Sequence, residues 1–323
     1  MPENRTSAFR KMVYQADIMD IMLVFSQMIT LFILLAIGYI CAKSGVLPSE
    51  SSKVLSKLVL SVTMPCTALS SVMSGSVTGF NRGDTTFFVL MSFAVFAIAF
   101  IVAIPIMRSI RSFKPDMGLL IYMIAYSNAS FMGFPVAQSV FGESATFFVS
   151  LFQIPFQLFV YSIGPMIISG KGKKISPRIL LNPGLIAALL VFVIFLTGFR
   201  TPGVIANAVK LLGGATTPVA MIIIGSTLST VPIKEVFSEW RLYPMVLLKL
   251  IGVPVVTWLI LGVFVKDPLM LGVLVVISAM PTATTATMLA MEYGSNEKLA
   301  AEGVFLTTLL SVVTIPLIVY LLL

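Results

Sequence analysis

Beyond its first twenty residues the chain alternates long apolar runs with short polar joints. A helix needs about 20 residues to cross a hydrocarbon core of about 30 Å. On that rule the pattern predicts ten spans: Ile21–Ala42, Lys53–Met73, Thr86–Met107, Met117–Phe141, Ala145–Ser169, Pro183–Phe199, Val204–Leu228, Tyr243–Val265, Pro268–Tyr293 and Lys298–Leu323. The leading segment MPENRTSAFRKMVYQADIMD has no apolar centre, so residues 1–20 read as a tail and not as a signal peptide. The expected class is an all-α polytopic membrane protein.

The second half of the pattern repeats the first. Lys57–Pro65 and Lys210–Pro218 share the form K-L-x-x-x-x-T-x-P, which aligns Thr63 and Pro65 with Thr216 and Pro218. Phe141-Gly142 at the end of span 4 corresponds to Tyr293-Gly294 at the end of span 9. Ile154-Pro155 ahead of Val160-Tyr161 corresponds to Ile315-Pro316 ahead of Val319-Tyr320. Five spans per half is an odd number, so the second copy (183–323) enters the membrane from the side opposite to the first (21–169), with the joint 170–182 between them. Two inverted five-helix repeats are the architecture of many secondary carriers.

Composition agrees and removes alternatives. Hydrophobic residues make up 58% of the chain and charged ones 11%, with a mean hydropathy of +1.04. Soluble domains carry roughly 25% charged residues. Histidine is absent, which excludes Ser-His-Asp chemistry, imidazole-bound zinc and histidine proton relays. Cys41 and Cys66 lie in apolar stretches and form no paired-thiol motif. There is no nucleotide-binding glycine loop and no soluble segment to house an ATPase, so neither cofactor nor metal is expected.

The net charge of +8 reports orientation and not a nucleic-acid partner. Joints 1–2, 3–4, 5–6, 7–8 and 9–10 hold twelve basic residues: Lys43, Lys53, Arg108, Arg111, Lys114, Lys171, Lys173, Lys174, Arg178, Lys234, Arg241 and Lys298. The other side holds six: Arg5, Arg10, Lys11, Arg82, Arg200 and Lys266. The positive-inside rule then places both termini outside the cytoplasmic membrane and GKGKKISPR inside, with the basic tail opposing weakly.

Two spans carry chemistry at mid-depth. Span 4 contains YSNASFMGFP (Tyr126–Pro135) and span 9 SAMPTATTAT (Ser278–Thr287). Small, hydroxyl and amide residues with a proline predict broken helices, which a membrane tolerates where they line a cavity or are buried in protein. Half-helices that begin at a break present N–H groups and a partial positive charge. Neither break contains Asp or Glu, so an anion, most simply a carboxylate, is the favoured ligand over a cation or a neutral solute. Candidate substrate residues are Ser127, Asn128, Ser130, Pro135, Pro281, Thr282, Thr284 and Thr285. Each has a plainer alternative: Asn128 bonding a neighbouring helix, or the threonines bonding back to their own helix carbonyls. Pro65 and Pro218, with Thr63 and Thr216, read as kinks that shape a cavity wall. Asn182-Pro183 reads as a helix cap that also serves as a candidate substrate contact. Lys249, two turns inside span 8, is expected to snorkel to the cytoplasmic face.

SNASFMGFP, NPGLIAALL opening span 6, and the terminal MLAMEYGSNEKLAAEGVFLTTLLSVVTIPLIVYLLL together resemble the auxin efflux carrier family. That family includes plant auxin exporters and bacterial permeases described as malonate or dicarboxylate carriers. The resemblance runs from about Met19 to the C-terminus. It implies a fold related to sodium/proton antiporters and bile-acid symporters, with broken spans 4 and 9 crossing. It also implies a scaffold of spans 1, 2, 6 and 7 that dimerises, and a mobile unit of spans 3–5 and 8–10 that moves like an elevator. In the plant members an asparagine before the span-4 break contacts the substrate carboxylate, which corresponds to Asn128. Their span-9 proline corresponds to Pro281, and an asparagine opening span 6 to Asn182. The chain lacks the long cytoplasmic loop of the larger plant members, which points to a bacterial-type carrier of small organic anions. A sodium- or proton-coupled symporter of the same fold and a ligand sensor without turnover are the competing readings.

The orientation is directly testable. A cysteine placed between Gly170 and Ser176 should be shielded from impermeant thiol reagents in intact cells; labelling from outside would exchange the two sides.

Overall fold

The computed structural model describes residues 26, 29–73, 80–170, 181–199, 201–231 and 233–323. The expected tail 1–20 and the basic residues Lys171, Lys173, Lys174, Arg178 and Arg200 lie outside them. Among the described residues every regular element is helical, and extended pairing is confined to one antiparallel bridge between Ser127 and Thr282.

In chain order the helices are α1 (Ile29–Lys43), α2 (Glu50–Met73) and α3 (Arg82–Ser109), then α4 (Met117–Ala125) and α5 (Phe134–Phe141). They continue as α6 (Glu143–Ser169), α7 (Pro183–Thr197), α8 (Gly203–Leu228), α9 (Leu242–Phe264) and α10 (Pro268–Ala279). The last two are α11 (Thr285–Tyr293) and α12 (Glu297–Leu322). Six of these (α2, α3, α6, α8, α9 and α12) are long and apolar enough to cross a membrane. Large aliphatic side chains stand outward on them: Val204 is 84% exposed and Leu211 79%. Such surfaces suit a hydrocarbon solvent.

The helix starts follow local chemistry. Asn81 and Asp84 form a reciprocal capping box on α3. Asp267 and Asn182 cap α10 and α7 immediately before a proline at the first helical position, as expected for Asn182. Gly294 ends α11 with φ 66°, in the left-handed region that glycine enters without strain.

Three helical segments widen into a single π-turn: Val59–Thr63, Ala129–Gly133 and Leu248–Gly252. Each is followed two residues later by a proline, namely Pro65, Pro135 and Pro254. A proline ring crowds the carbonyl four residues back and brings no N–H to bond it. Those carbonyls belong to Ser61, Phe131 and Leu250, all inside the widened turns, where the extra residue gives the ring room. Pro65 therefore widens its helix without breaking it. Pro105, Pro155 and Pro316 lie inside helices without such a turn. Pro218 follows a one-residue interruption at Ala215 between Gly203–Gly214 and Thr216–Leu228.

Glycines bring backbones into contact. A Cβ on Gly38 would collide with Ile222 O, and one on Gly225 with Leu35 O, so α1 and α8 touch main chain to main chain. A Cβ on Gly213 would meet Thr67 N. There the Thr67 hydroxyl donates to Gly213 O at 2.9 Å and lies 2.7 Å from the Thr216 hydroxyl. The segments around Pro65 and Pro218 thus meet where α2 crosses α8.

At one end of the bundle Arg241 ties three elements together. It donates to Asp116 Oδ2, just before α4, at 2.6 Å, and to both carboxylate oxygens of Glu239 at 2.8 and 2.9 Å. Asn296, the cap of α12, reaches the same Asp116 oxygen at 3.3 Å. The Arg241 hydrogen bond holds the Glu239 carboxyl below the usual carboxylate range, and the same bond raises the guanidinium.

Hydrogen bonds to charged partners contribute about 1.5–3 kcal/mol each, so Arg241→Ala should destabilise the fold by about 1–3 kcal/mol, read as a lower unfolding temperature in detergent. The Glu239 share is complete above about pH 4.3, the free glutamate value. It is lost as pH falls through the lower folded-state value, so the gap between wild type and variant should narrow in acid.

Candidate functional site

The two breaks form for different local reasons. After Ala125 the chain enters Ser-Asn-Ala-Ser, whose short polar side chains compete with the helix for backbone groups. After Ala279 the cause is Pro281, which lacks an N–H and forces the preceding residue out of helical geometry. Met280 accordingly has φ −59° and ψ 150°.

The breaks then satisfy each other. Asn128 N donates to Pro281 O at 2.8 Å and Ala283 N to Tyr126 O at 2.9 Å, the two bonds of the Ser127–Thr282 bridge. Side chains reinforce it. Thr282 Oγ1 donates to Met123 O at 2.8 Å, and Thr282 N donates to Thr307 Oγ1 on α12 at 3.2 Å. The Tyr122 and Thr285 hydroxyls are 2.8 Å apart. Tyr122 and Tyr126 stack with centroids 4.1 Å apart, and the Tyr126 hydroxyl donates to Phe159 O at 3.0 Å. The bonding of Thr282 and Thr285 across to α4 corrects the plainer expectation of bonds back to their own helix. Thr282 N and Ala283 N, which lie at the break ahead of α11, are thereby in use.

Asn128 is 2% exposed. Its Oδ1 accepts from Phe131 N at 3.2 Å, and its carbonyl accepts from Met132 N and Gly133 N at 3.2 and 2.9 Å. Asn128 thereby caps the π-turn that leads into α5. Its Nδ2 has no partner among the described residues. A buried amide donor left unpaired costs about 1–3 kcal/mol, which a ligand that accepts from it would offset.

A polar thread leads from this turn toward α7. Ser130 Oγ donates to Gln153 Oε1 at 3.2 Å, Gln153 Nε2 to Ala129 O at 3.2 Å, and Gln157 Nε2 to Gln153 Oε1 at 3.3 Å. Gly184, beside Asn182, lies so close to Gln157 that a Cβ there would fall 2.6 Å from its Nε2. Asn182 itself spends its Oδ1 on Leu185 N at 3.1 Å. The sequence reading missed Gln153 and Gln157. Two glutamines four apart in an apolar run share a helix face, and that was the available signal.

The other expected residues are spread around this centre. Pro135 is buried in the first turn of α5. Thr284 immediately precedes α11, and its carbonyl accepts from the Thr287 hydroxyl at 2.8 Å. Thr63, Pro65, Thr216 and Pro218 belong to the α2–α8 crossing and not to the bridge. A polar cavity of about 200 Å³ opens beside that crossing, between α2 and α8 on one side and α5 and α6 on the other, with Thr67, Ser70, Gln138 and Thr146 in its lining.

Lys249 departs most from expectation. It does not snorkel: it is 0% exposed, within the Leu248–Gly252 π-turn of α9. Its ammonium donates to Ser127 Oγ at 2.5 Å and to Ser278 O at 3.2 Å. Leu242, Met245 and Val246, seven, four and three residues before it, are buried as well, so Lys249 continues the inward face of α9.

Among the described residues no group of His, Cys, Asp and Glu could hold a metal ion. Comparison with known proteins gives one direction. A family described as Membrane transport protein matches residues 23–319. A protein of Methanothermobacter thermautotrophicus named "Uncharacterized transporter" is 28% identical over 90% of this chain and 95% of its own length. A Rhizobium meliloti protein named "Putative malonate transporter" is 26% identical over 90% of this chain and 93% of its own. A further uncharacterized transporter, from Methanocaldococcus jannaschii, is 27% identical over 93% and 97%.

The bridge should be sensitive to its side-chain props. Thr282→Val keeps the shape but leaves Met123 O buried without its donor, at a cost of about 1–3 kcal/mol. It should lower the unfolding temperature in detergent, whereas Thr287→Val, at a half-buried site on α11, should not.

Proposed function

Since the chain belongs to the membrane transport protein family, the auxin efflux carriers, and that family consists of transporters and not enzymes, we propose that it is a secondary carrier of small organic anions, with short carboxylates such as malonate as cargo. The observation that carries the reading is the unpartnered Asn128 Nδ2 beside the crossing of two broken helices. A carboxylate entering that depth loses its water and needs aligned donors in return. Neither break carries an acidic side chain, and the name of the R. meliloti relative supplies the probe. Asn128 would give the carboxylate its amide. The glutamines of α6 and the start of α7, with Asn182, would line the remainder of the pocket.

The same proposal includes ten spans in two inverted halves, both termini outside the cytoplasmic membrane, and elevator-type alternating access. Three features support it. Paired broken helices at corresponding places in the two halves are the mark of such carriers. The segments around Pro65 and Pro218, alike in sequence, meet face to face. The α1, α2, α7 and α8 helices pack on one another, and the crossing is built on α3–α6 and α9–α12. The first set would be the stationary scaffold and the place where two copies pair. The polar cavity between α2, α8 and α5, α6 would be an access route.

Malonate should raise the unfolding temperature of the purified protein. Asn128→Ala removes one donor to a charged group, about 1.5–3 kcal/mol, so the malonate dissociation constant should rise roughly 10- to 150-fold. Asn128→Asp should be worse, because it sets a like charge beside the anion. A tolerated Asn128→Asp with a new dependence on cations would overturn the anion assignment.

A further inference from the structure

Lys249 sits at the crossing without a counter-ion. Its two acceptors are the Ser127 hydroxyl and the Ser278 carbonyl, and among the described residues no carboxylate pairs with it. An ammonium has three donors, so these contacts leave it under-bonded as well as unneutralised. A charged group inside a membrane protein is costly and marks a functional path by default. Its position is specific. Ser127 belongs to the span-4 break, and Ser278 lies in the last turn of α10, at the C-terminal end where carbonyls carry partial negative charge. Hydroxyls, unwound carbonyls and half-helix C-termini are the groups that hold a coupling cation in carriers with broken helices. Here they hold the side chain of Lys249.

Ser127 lies in the bridge, and Asn128 is the centre of a tight turn (φ −74°, ψ 60°) in which Ala129 N donates to Ser127 O at 2.7 Å. Ser127 turns toward α9 and the lysine, and Asn128 toward the first turn of α5. We propose that Lys249 is a tethered cation occupying the cation position of the crossing. It supplies, from behind the bridge, the countercharge for a carboxylate at Asn128, so that anion binding needs no dissolved sodium. The inference rests on the organic-anion reading and adds to it the source of the compensating charge.

A purely structural lysine and a countercharge part company in a neutral variant. Replacing a buried charge by an apolar group of similar volume is often neutral or stabilising. Lys249→Met should therefore unfold at or above the wild-type temperature, yet bind malonate more weakly by roughly 5- to 150-fold, the usual range for one site acting on another. Lys249→Gln, which retains donors for Ser127 Oγ and Ser278 O without the charge, should show the same loss. The wild-type malonate shift should be equal in sodium chloride and choline chloride. Wild-type binding that requires sodium, a folded neutral variant with undiminished malonate affinity, or failure of both variants to fold would each overturn the proposal. A malonate shift that Asn128→Ala abolishes and both Lys249 variants keep overturns the role of Lys249 alone. No malonate shift in the wild type overturns the anion reading beneath it.

Discussion

Inside a bilayer a peptide group that leaves its helix has no water to turn to, and each orphaned N–H or C=O costs several kcal/mol in an apolar surround. The centre of this protein is arranged around that constraint. Two helices are interrupted, and each interruption supplies what the other lacks: Asn128 N meets Pro281 O, and Ala283 N meets Tyr126 O. Thr282, Thr307, Tyr122 and Thr285 serve the remaining polar groups nearby. With the backbone served internally, two groups at the crossing stand out among the described residues: the Asn128 amide hydrogens, which have no partner, and the Lys249 amine, which has no carboxylate beside it.

Much of this was legible in the sequence, and the limits of legibility are physical. Apolar runs gave the helices their places, because burial in hydrocarbon is decided by composition over about twenty residues. The breaks announced themselves through Ser-Asn-Ala-Ser and Met-Pro, since local competition for backbone groups and the proline ring act within a few residues. That the breaks would bond to one another was not legible. The crossing itself was implied by the family resemblance, but the bonds join residues more than 150 apart, and no local propensity encodes them. Lys249 was misread for a related reason. Its distance from the helix end, about 10 Å at 1.5 Å per residue, lies within reach of a snorkelling side chain, and a helix that is apolar on all sides, as α9 is, does not declare which face turns inward.

Proline and π-turn act together in more than one place. In α2 the widened turn lies beside the crossing with α8, in the span-4 break it carries Asn128 and Ser130, and in α9 it carries Lys249. The accommodation of one ring therefore shapes the backbone on which Ser130 and Lys249 stand. A substitution at Pro135 or Pro254 would act on the site without touching any ligand, by returning the turn to ordinary helical register.

The bridge at the crossing also limits how such a protein can diversify. The four half-helices are pegged at one point by main-chain bonds, and prying any arm away exposes peptide groups with nothing to replace their partners. A site beside the peg would have no elastic wall on that side. On the proposed reading, a larger or differently shaped cargo would be fitted by trimming or exchanging side chains, such as Ser130, Gln153 and Gln157, around an unchanging backbone. Relatives that carry unlike solutes should then share the peg atom for atom while differing in the ring of residues around it.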